Sequence, residues 1–158
     1  MKTTKLSNAI IAASLTGALL FAGTATASDS STLAVSATVQ GVCHFTATGF
    51  NMTFDSINPH DSGAKTKAST ISYKCTNGTP SSAITFDGGA TGTSVNLSDG
   101  SSNLPVTLSW TTPATNGSGF GTGSSAITFD VTGSIANADY ANKAAGTYTK
   151  NVTIAIAP

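Results

Sequence analysis

The sequence contains no arginine and no glutamate. Only 9% of its 158 residues are charged, and all of those are lysine or aspartate. Phosphate recognition needs clustered Lys or Arg, so nucleic acid and anionic membrane surfaces find no electrostatic footprint here. A paired-carboxylate glycosidase site usually draws on glutamate as well as aspartate, and its absence argues against that chemistry. The chain has two histidines, His44 and His60, and no G-x-S-x-G turn around any serine, so a hydrolytic triad lacks its parts. Long apolar runs are missing as well: the uncharged stretch 9–23 spans 15 residues, where a membrane-crossing helix needs about 20. No segment of the remaining chain shows a helical period, and no glycine cluster lies between a strand and a helix as a phosphate loop requires. These absences point away from an enzyme and away from any bound cofactor.

The stretch 9–23 belongs to a leader. Lys2 and Lys5 precede it and Ala25-Thr26-Ala27 follows, which are the three regions of a secretory signal peptide with cleavage after Ala27. Residues 1–27 are therefore expected to be removed, leaving 28–158, 131 residues, the size of one domain with a single core. This mature part carries five lysines and seven aspartates, a formal net charge of −2. Its solubility must come from Ser, Thr, Asn and Gly, and no part of it is expected to enter a membrane.

Two cysteines remain, Cys43 and Cys75. In an exported chain they are most simply read as one disulfide. Closing a loop of about 33 residues would stabilise the fold by roughly 3.5 to 4 kcal/mol in the chain-entropy picture. The competing reading is a copper or zinc site with His44 or His60. His44 directly follows Cys43, however, and neighbouring side chains on a strand point to opposite faces.

What the chain does have is alternation. Short apolar or alternating runs recur at 32–39, 43–47, 52–54, 69–75, 83–86, 94–97, 104–110, 126–135 and 147–157, separated by turn-forming clusters. That spacing predicts an all-β sandwich. The inward sets read as Ile71, Tyr73 and Cys75; Ile127, Phe129 and Val131; and Tyr148, Val152, Ile154 and Ile156. Trp110 closes a run with Leu104, Val106 and Leu108 on one face, which favours core packing over sugar stacking. Asp55, Asp61, Asp87 and Asp99 lie beside Gly, Ser or Asn and are expected to cap turns. Five N-x-S/T triplets, at Asn51, Asn77, Asn96, Asn116 and Asn151, are what a chain rich in Asn, Ser and Thr generates by chance.

The two ends of the mature chain raise a pairing question. Leu33, Val35, Ala37 and Val39 alternate with polar or small residues, so one face of this segment is apolar. The closing segment "AGTYTKNVTIAIAP" reads as a strong strand ending at Pro158. The first segment could pair beside the last within one molecule, or beside the last strand of the next molecule. The order of "GVCHF", "MTFDSINP", "TISYKCTNGT", "GSI" and the G-x-Y-x-x-x-V-x-I-x-I ending resembles pilins of the archaic chaperone-usher pathway, the spore coat protein U-like domain family.

The resemblance implies an incomplete immunoglobulin-like β-sandwich, residues 41–158, completed by a donor strand from a neighbouring subunit. It implies that residues 28–40 are the donor segment, with Leu33, Val35, Ala37 and Val39 as donor side chains. Tyr148, Val152, Ile154 and Ile156 would belong to the acceptor groove, and the carboxylate of Pro158 would be what a periplasmic chaperone grips. The implied partners are identical or related pilins, that chaperone and an outer-membrane usher; the implied destination is a cell-surface pilus serving adhesion and biofilm formation, reached through the periplasm. Two other readings stay open at this point: a self-complete secreted β-sandwich that binds carbohydrate or another surface partner, and a small copper-binding periplasmic protein.

Overall fold

The computed structural model describes residues 28–81 and 83–158. The expected signal peptide, residues 1–27, lies outside the described residues. Residues 28–37 carry no helix or strand, and Leu33 and Val35 are 87% and 82% exposed. The expected strand at 32–39 thus joins no ladder, because alternation encodes a face and not a partner.

Residues 38–158 form a compact unit. Its strands are β1 (Cys43–Phe45), β2 (Lys65–Cys75), β3 (Ala83–Phe86), β4 (Ser94–Ser98), β5 (Asn103–Trp110), β6 (Ile127–Ile135) and β7 (Ile154–Ala157). One turn of helix, α1 (Asn137–Tyr140), sits between the last two strands. Four residues are too few to show a period, which is why the sequence did not announce it. The strands make an all-β, sandwich-like fold. Five form an antiparallel sheet in the order β1-β2-β6-β5-β4, and β3 pairs with β7 in a second, two-stranded sheet.

The inward faces of the two sheets share one core. Ile71, Tyr73 and Cys75 on β2, Ile127, Phe129 and Val131 on β6, and Leu104, Val106, Leu108 and Trp110 on β5 are all buried. Ile84 and Phe86 from β3 join them, and the Phe86 and Trp110 rings lie 4.4 Å apart. Aromatic and β-branched residues suit a pleated, half-buried surface, so these positions specify both strand and face. The outward positions of the large sheet are mostly hydroxylated: Thr66 opposes Ser134, Ala68 opposes Thr132 and Ser72 opposes Thr128 across β2 and β6. Hydroxyls do here what charge does on most surfaces.

Cys43 and Cys75 face each other in the β1–β2 register and form a disulfide, with Cα atoms 4.0 Å apart. Both thiols are thereby spent. His44 is exposed on the other face of β1, edge-on to Phe120 at 5.8 Å.

Two further runs expected as strands are left wholly or largely outside the ladders. Residues 52–54 join no ladder, and of the run 147–157 only Ile154–Ala157 does, apart from an isolated bridge between Ser98 and Thr149. Conversely β2 begins at Lys65, four residues before the apolar alternation, because its early inward positions are Lys65 and Lys67, paired with Asp61 and Asp55.

Candidate acceptor groove

These two unpaired runs border a groove of about 1210 Å³. Its floor is the inner face of the large sheet, with Ile71, Val131, Val106, Leu108 and Ile135 among the lining residues. Small-molecule sites usually occupy about 300 to 1,000 Å³, so a groove of this size with an apolar floor and a partly polar rim suits a length of polypeptide better.

One wall is built by residues 50–57. Phe50, Met52, Phe54 and Ile57 are half-buried and line the groove, while Asn51, Thr53 and Asp55 between them are exposed. Gly133 in the middle of β6 lets this wall lie close to the sheet. A Cβ there would sit 2.5 Å from Met52 Sδ and 2.9 Å from Phe54 Cζ. The Ser69 hydroxyl donates to the Asn51 carbonyl at 2.8 Å, and Lys67 Nζ lies 3.4 Å from both carboxylate oxygens of Asp55.

The other wall is the approach to β7. Tyr148, Lys150, Val152 and Ile154 line the groove, and Tyr148, Val152 and Ile154 are half-buried. This wall is fastened at two points. Thr149 exchanges N–H···O bonds of 3.0 Å with Ser98 in both directions. Four residues on, the Asp87 N–H donates to the Thr153 carbonyl at 2.8 Å, and the Thr153 N–H donates to Asp87 Oδ1 at 2.8 Å. Asp87 leaves the β-region at φ 47, so its side chain takes over the acceptor role its carbonyl would have had. Its second oxygen, Oδ2, holds Lys150 Nζ at 2.9 Å. The hydrogen bond with Lys150 and the Thr153 N–H hold the Asp87 carboxyl below its ordinary value. Asp99, at the neighbouring turn, is lowered too, by the N–H groups of Ser101 and Ser102.

Between the two fastenings the backbone is bare. Thr149 and Thr153 direct their polar groups to Ser98 and Asp87; in an extended chain those of the intervening alternate residues point the opposite way. Residues 150–153 belong to no ladder. An extended edge of this kind is a template for another strand.

Of the residues singled out in the sequence, Tyr148, Val152 and Ile154 come together on this wall. Ile156 lies one step further, opposite Ile84 in the β3–β7 pair and outside the lining residues. Pro158 follows β7 and is exposed. Val39, like Leu33 and Val35, is strongly exposed, at 82%. Sequence reasoning missed the wall at 50–57, although Phe50-x-Met52-x-Phe54 carried the alternation, and it missed Lys150 and Asp87. It read Asp87 as a turn cap, whereas this carboxylate reaches across the fold to Thr153 and Lys150.

Comparison with known proteins places the chain in a family. The Spore Coat Protein U domain matches residues 29–155, nearly the whole described chain, and the protein belongs to that family. The domain is a structural pilin-type domain associated with chaperone-usher pili and fimbriae. No curated protein and no solved structure matches the chain. Among the described residues no helix is long and apolar enough to cross a membrane.

Proposed function

From membership of the Spore Coat Protein U domain family we propose that this chain is a structural subunit of a bacterial surface pilus. It is assembled by donor-strand exchange through a chaperone-usher pathway and supports adhesion and biofilm formation. Export by residues 1–27 delivers it to the periplasm, where a chaperone occupies the groove and engages the C-terminal end at Pro158. The outer-membrane usher is the site at which the neighbouring subunit's residues 28–40 take the chaperone's place. The sandwich is immunoglobulin-like and one strand short.

The observation that carries this reading is the groove between residues 50–57 and 148–153, which belong to no strand, in a chain that also exposes an alternating apolar row at Leu33, Val35 and Val39. A strand laid against residues 150–153 would satisfy the bare backbone edge, while its inward side chains fill the apolar floor. Burying Leu33, Val35, Ala37 and Val39 contributes on the order of 5 to 8 kcal/mol, at roughly 1.5 to 3 for each large side chain and less for alanine.

Deleting residues 28–39 tests the proposal. The truncated subunit should still be captured by its chaperone and should form no fibres. Normal fibres from the truncated chain would refute it.

A further inference from the structure

Asparagine precedes glycine twice in the chain, at Asn77-Gly78 and Asn116-Gly117. Such a step is chemically fragile, because a glycine has no Cβ to hinder its nitrogen from attacking the asparagine side chain. The glycine nitrogen bonds to Cγ, the Cγ–Nδ2 bond breaks, and ammonia leaves with the proton that the glycine nitrogen gave up. Water then opens the five-membered imide at either carbonyl and leaves aspartate or isoaspartate.

Neither glycine can be exchanged for a safer residue. Gly78 lies at φ 76, where a side chain is strained. Gly117 is buried, and a Cβ there would sit 2.3 Å from the Cys75 carbonyl oxygen and 2.5 Å from that of Thr76. Asn77 and Asn116 are both exposed, so burial shields neither side-chain amide.

What the fold withholds is the attacking nitrogen. The Gly78 N–H donates to the Gly117 carbonyl at 2.9 Å, and the Gly117 N–H donates to the Thr79 carbonyl at 2.8 Å. Each turn therefore holds the other's nucleophile. The Gly119 N–H, donating to the Cys75 carbonyl at 3.0 Å, ties the same contact to the disulfide-bearing end of β2. We propose that Asn77 and Asn116 are a coupled pair of deamidation sites, kept latent by this reciprocal bonding and released together when it opens.

The coupling follows from the chemistry. Once Asn116 has cyclised, the Gly117 nitrogen carries no hydrogen and the bond to Thr79 is lost. Ring opening to isoaspartate puts the side-chain methylene into the backbone and displaces the Gly117 carbonyl that holds Gly78. Cyclisation at Asn77 removes the donor to Gly117 in the same way, and isoaspartate there displaces the Thr79 carbonyl. Either event frees the other glycine nitrogen. Each conversion also adds a negative charge to a mature chain whose formal net charge is already −2.

The test holds the folded mature protein in mildly alkaline buffer beside a sample unfolded in urea, and reads both sites on the same chain by top-down mass spectrometry. In urea the marks should fall independently, with doubly marked chains at the product of the two single-site fractions. In the folded protein each site should react at least about tenfold more slowly, the factor that one ordinary hydrogen bond is worth. While either mark is still rare, doubly marked chains should exceed the product at least about tenfold. Folded rates equal to unfolded ones, or marks that obey the product rule, overturn the proposal.

Whole-chain unfolding would also correlate the marks, and hydrogen exchange in the same buffer tells the two apart. The Gly78 and Gly117 amides should share one protection, at least about tenfold below that of the amides of β6, the central strand of the large sheet. Unlike protection of the two glycines, or protection equal to that of β6, overturns the proposal. Gly117→Ala removes one asparagine–glycine step and drives a methyl against the Cys75 carbonyl, so in the folded variant Asn77 should deamidate at least about tenfold faster. An unchanged Asn77 rate overturns the proposal, and where that variant does not fold the measurements on the unaltered chain decide.

Discussion

Truncating Leu33 to alanine separates the stability of the subunit from that of the fibre. Leu33 is 87% exposed in the subunit, so removing its isobutyl tip deletes almost no buried contact there. In the groove of a neighbouring copy the same side chain would be buried against the apolar floor of the sheet, where Leu-to-Ala truncation costs about 2 to 5 kcal/mol. That corresponds to a weakening of strand binding of roughly 30-fold to several thousand-fold. Guanidinium chloride dissociation of purified fibres, followed by sedimentation, measures it. With a denaturant slope of about 4 kcal/mol/M for a domain of this size, the midpoint should fall by roughly 0.5 to 1.2 M. The chaperone-released subunit, unfolded in parallel, should keep its midpoint within error. Two results would refute the reasoning: an unchanged fibre midpoint, or a subunit that Leu33→Ala destabilises as much as the fibre, which would place Leu33 in its own core.

Other outcomes follow from the fold. Replacing both Cys43 and Cys75 by serine removes a cross-link across a sequence separation of 32 and should cost about 3.5 to 4 kcal/mol in equilibrium unfolding; a loss under about 1 kcal/mol would show that β1 is held by other means. Gly133→Ala should destabilise by about 1 to 3 kcal/mol in thermal or urea unfolding, because the new methyl meets Met52 Sδ at 2.5 Å; a neutral result would mean that the wall at 50–57 lifts freely. Asp87 and Asp99 have carboxyls held below the ordinary 3.8, so the stability they confer is present above that value and is lost as pH falls through it toward their folded values. Urea midpoints should therefore drop between about pH 5 and about pH 2, and Asp87→Asn should make that decline shallower; an unchanged acid slope in the variant would contradict the assignment.

The strands of the closed part of the fold were legible because their residues state both face and extent. Ile127, Phe129 and Val131 on β6 and Leu104 through Trp110 on β5 alternate strictly, and all are buried. The disulfide was legible from redox context alone. Pairing was not. Residues 52–54 and 147–153 carry the same alternation as β5 yet join no ladder, because period two records which side chains are buried and is silent on what lies beside the backbone. Lys150, which is exposed, escaped notice because nothing near it in the sequence points to its partner. Its place on the wall depends on Asp87, 63 positions earlier, whose φ of 47 turns its carboxylate onto Thr153 and Lys150. No local pattern encodes that reach.

The root of the proposed donor strand is tied down more firmly than an exposed edge requires. Thr76 accepts the Val42 N–H on its hydroxyl at 3.1 Å and returns that hydroxyl to the Gln40 carbonyl at 3.1 Å. Its own N–H donates to the Val42 carbonyl at 2.9 Å. One residue later the chain enters β1, only three residues long, and is covalently joined through Cys43 to Cys75 at the end of β2. A three-residue edge strand held by hydrogen bonds alone would peel away when pulled. Tension arriving through residues 33–39 passes instead from Cys43 into β2, an eleven-residue strand paired with β6 over nine positions. Those ladder bonds are loaded along the strand axis, in parallel. Under the strand-exchange reading the disulfide keeps the borrowed strand's own root from being the point of failure.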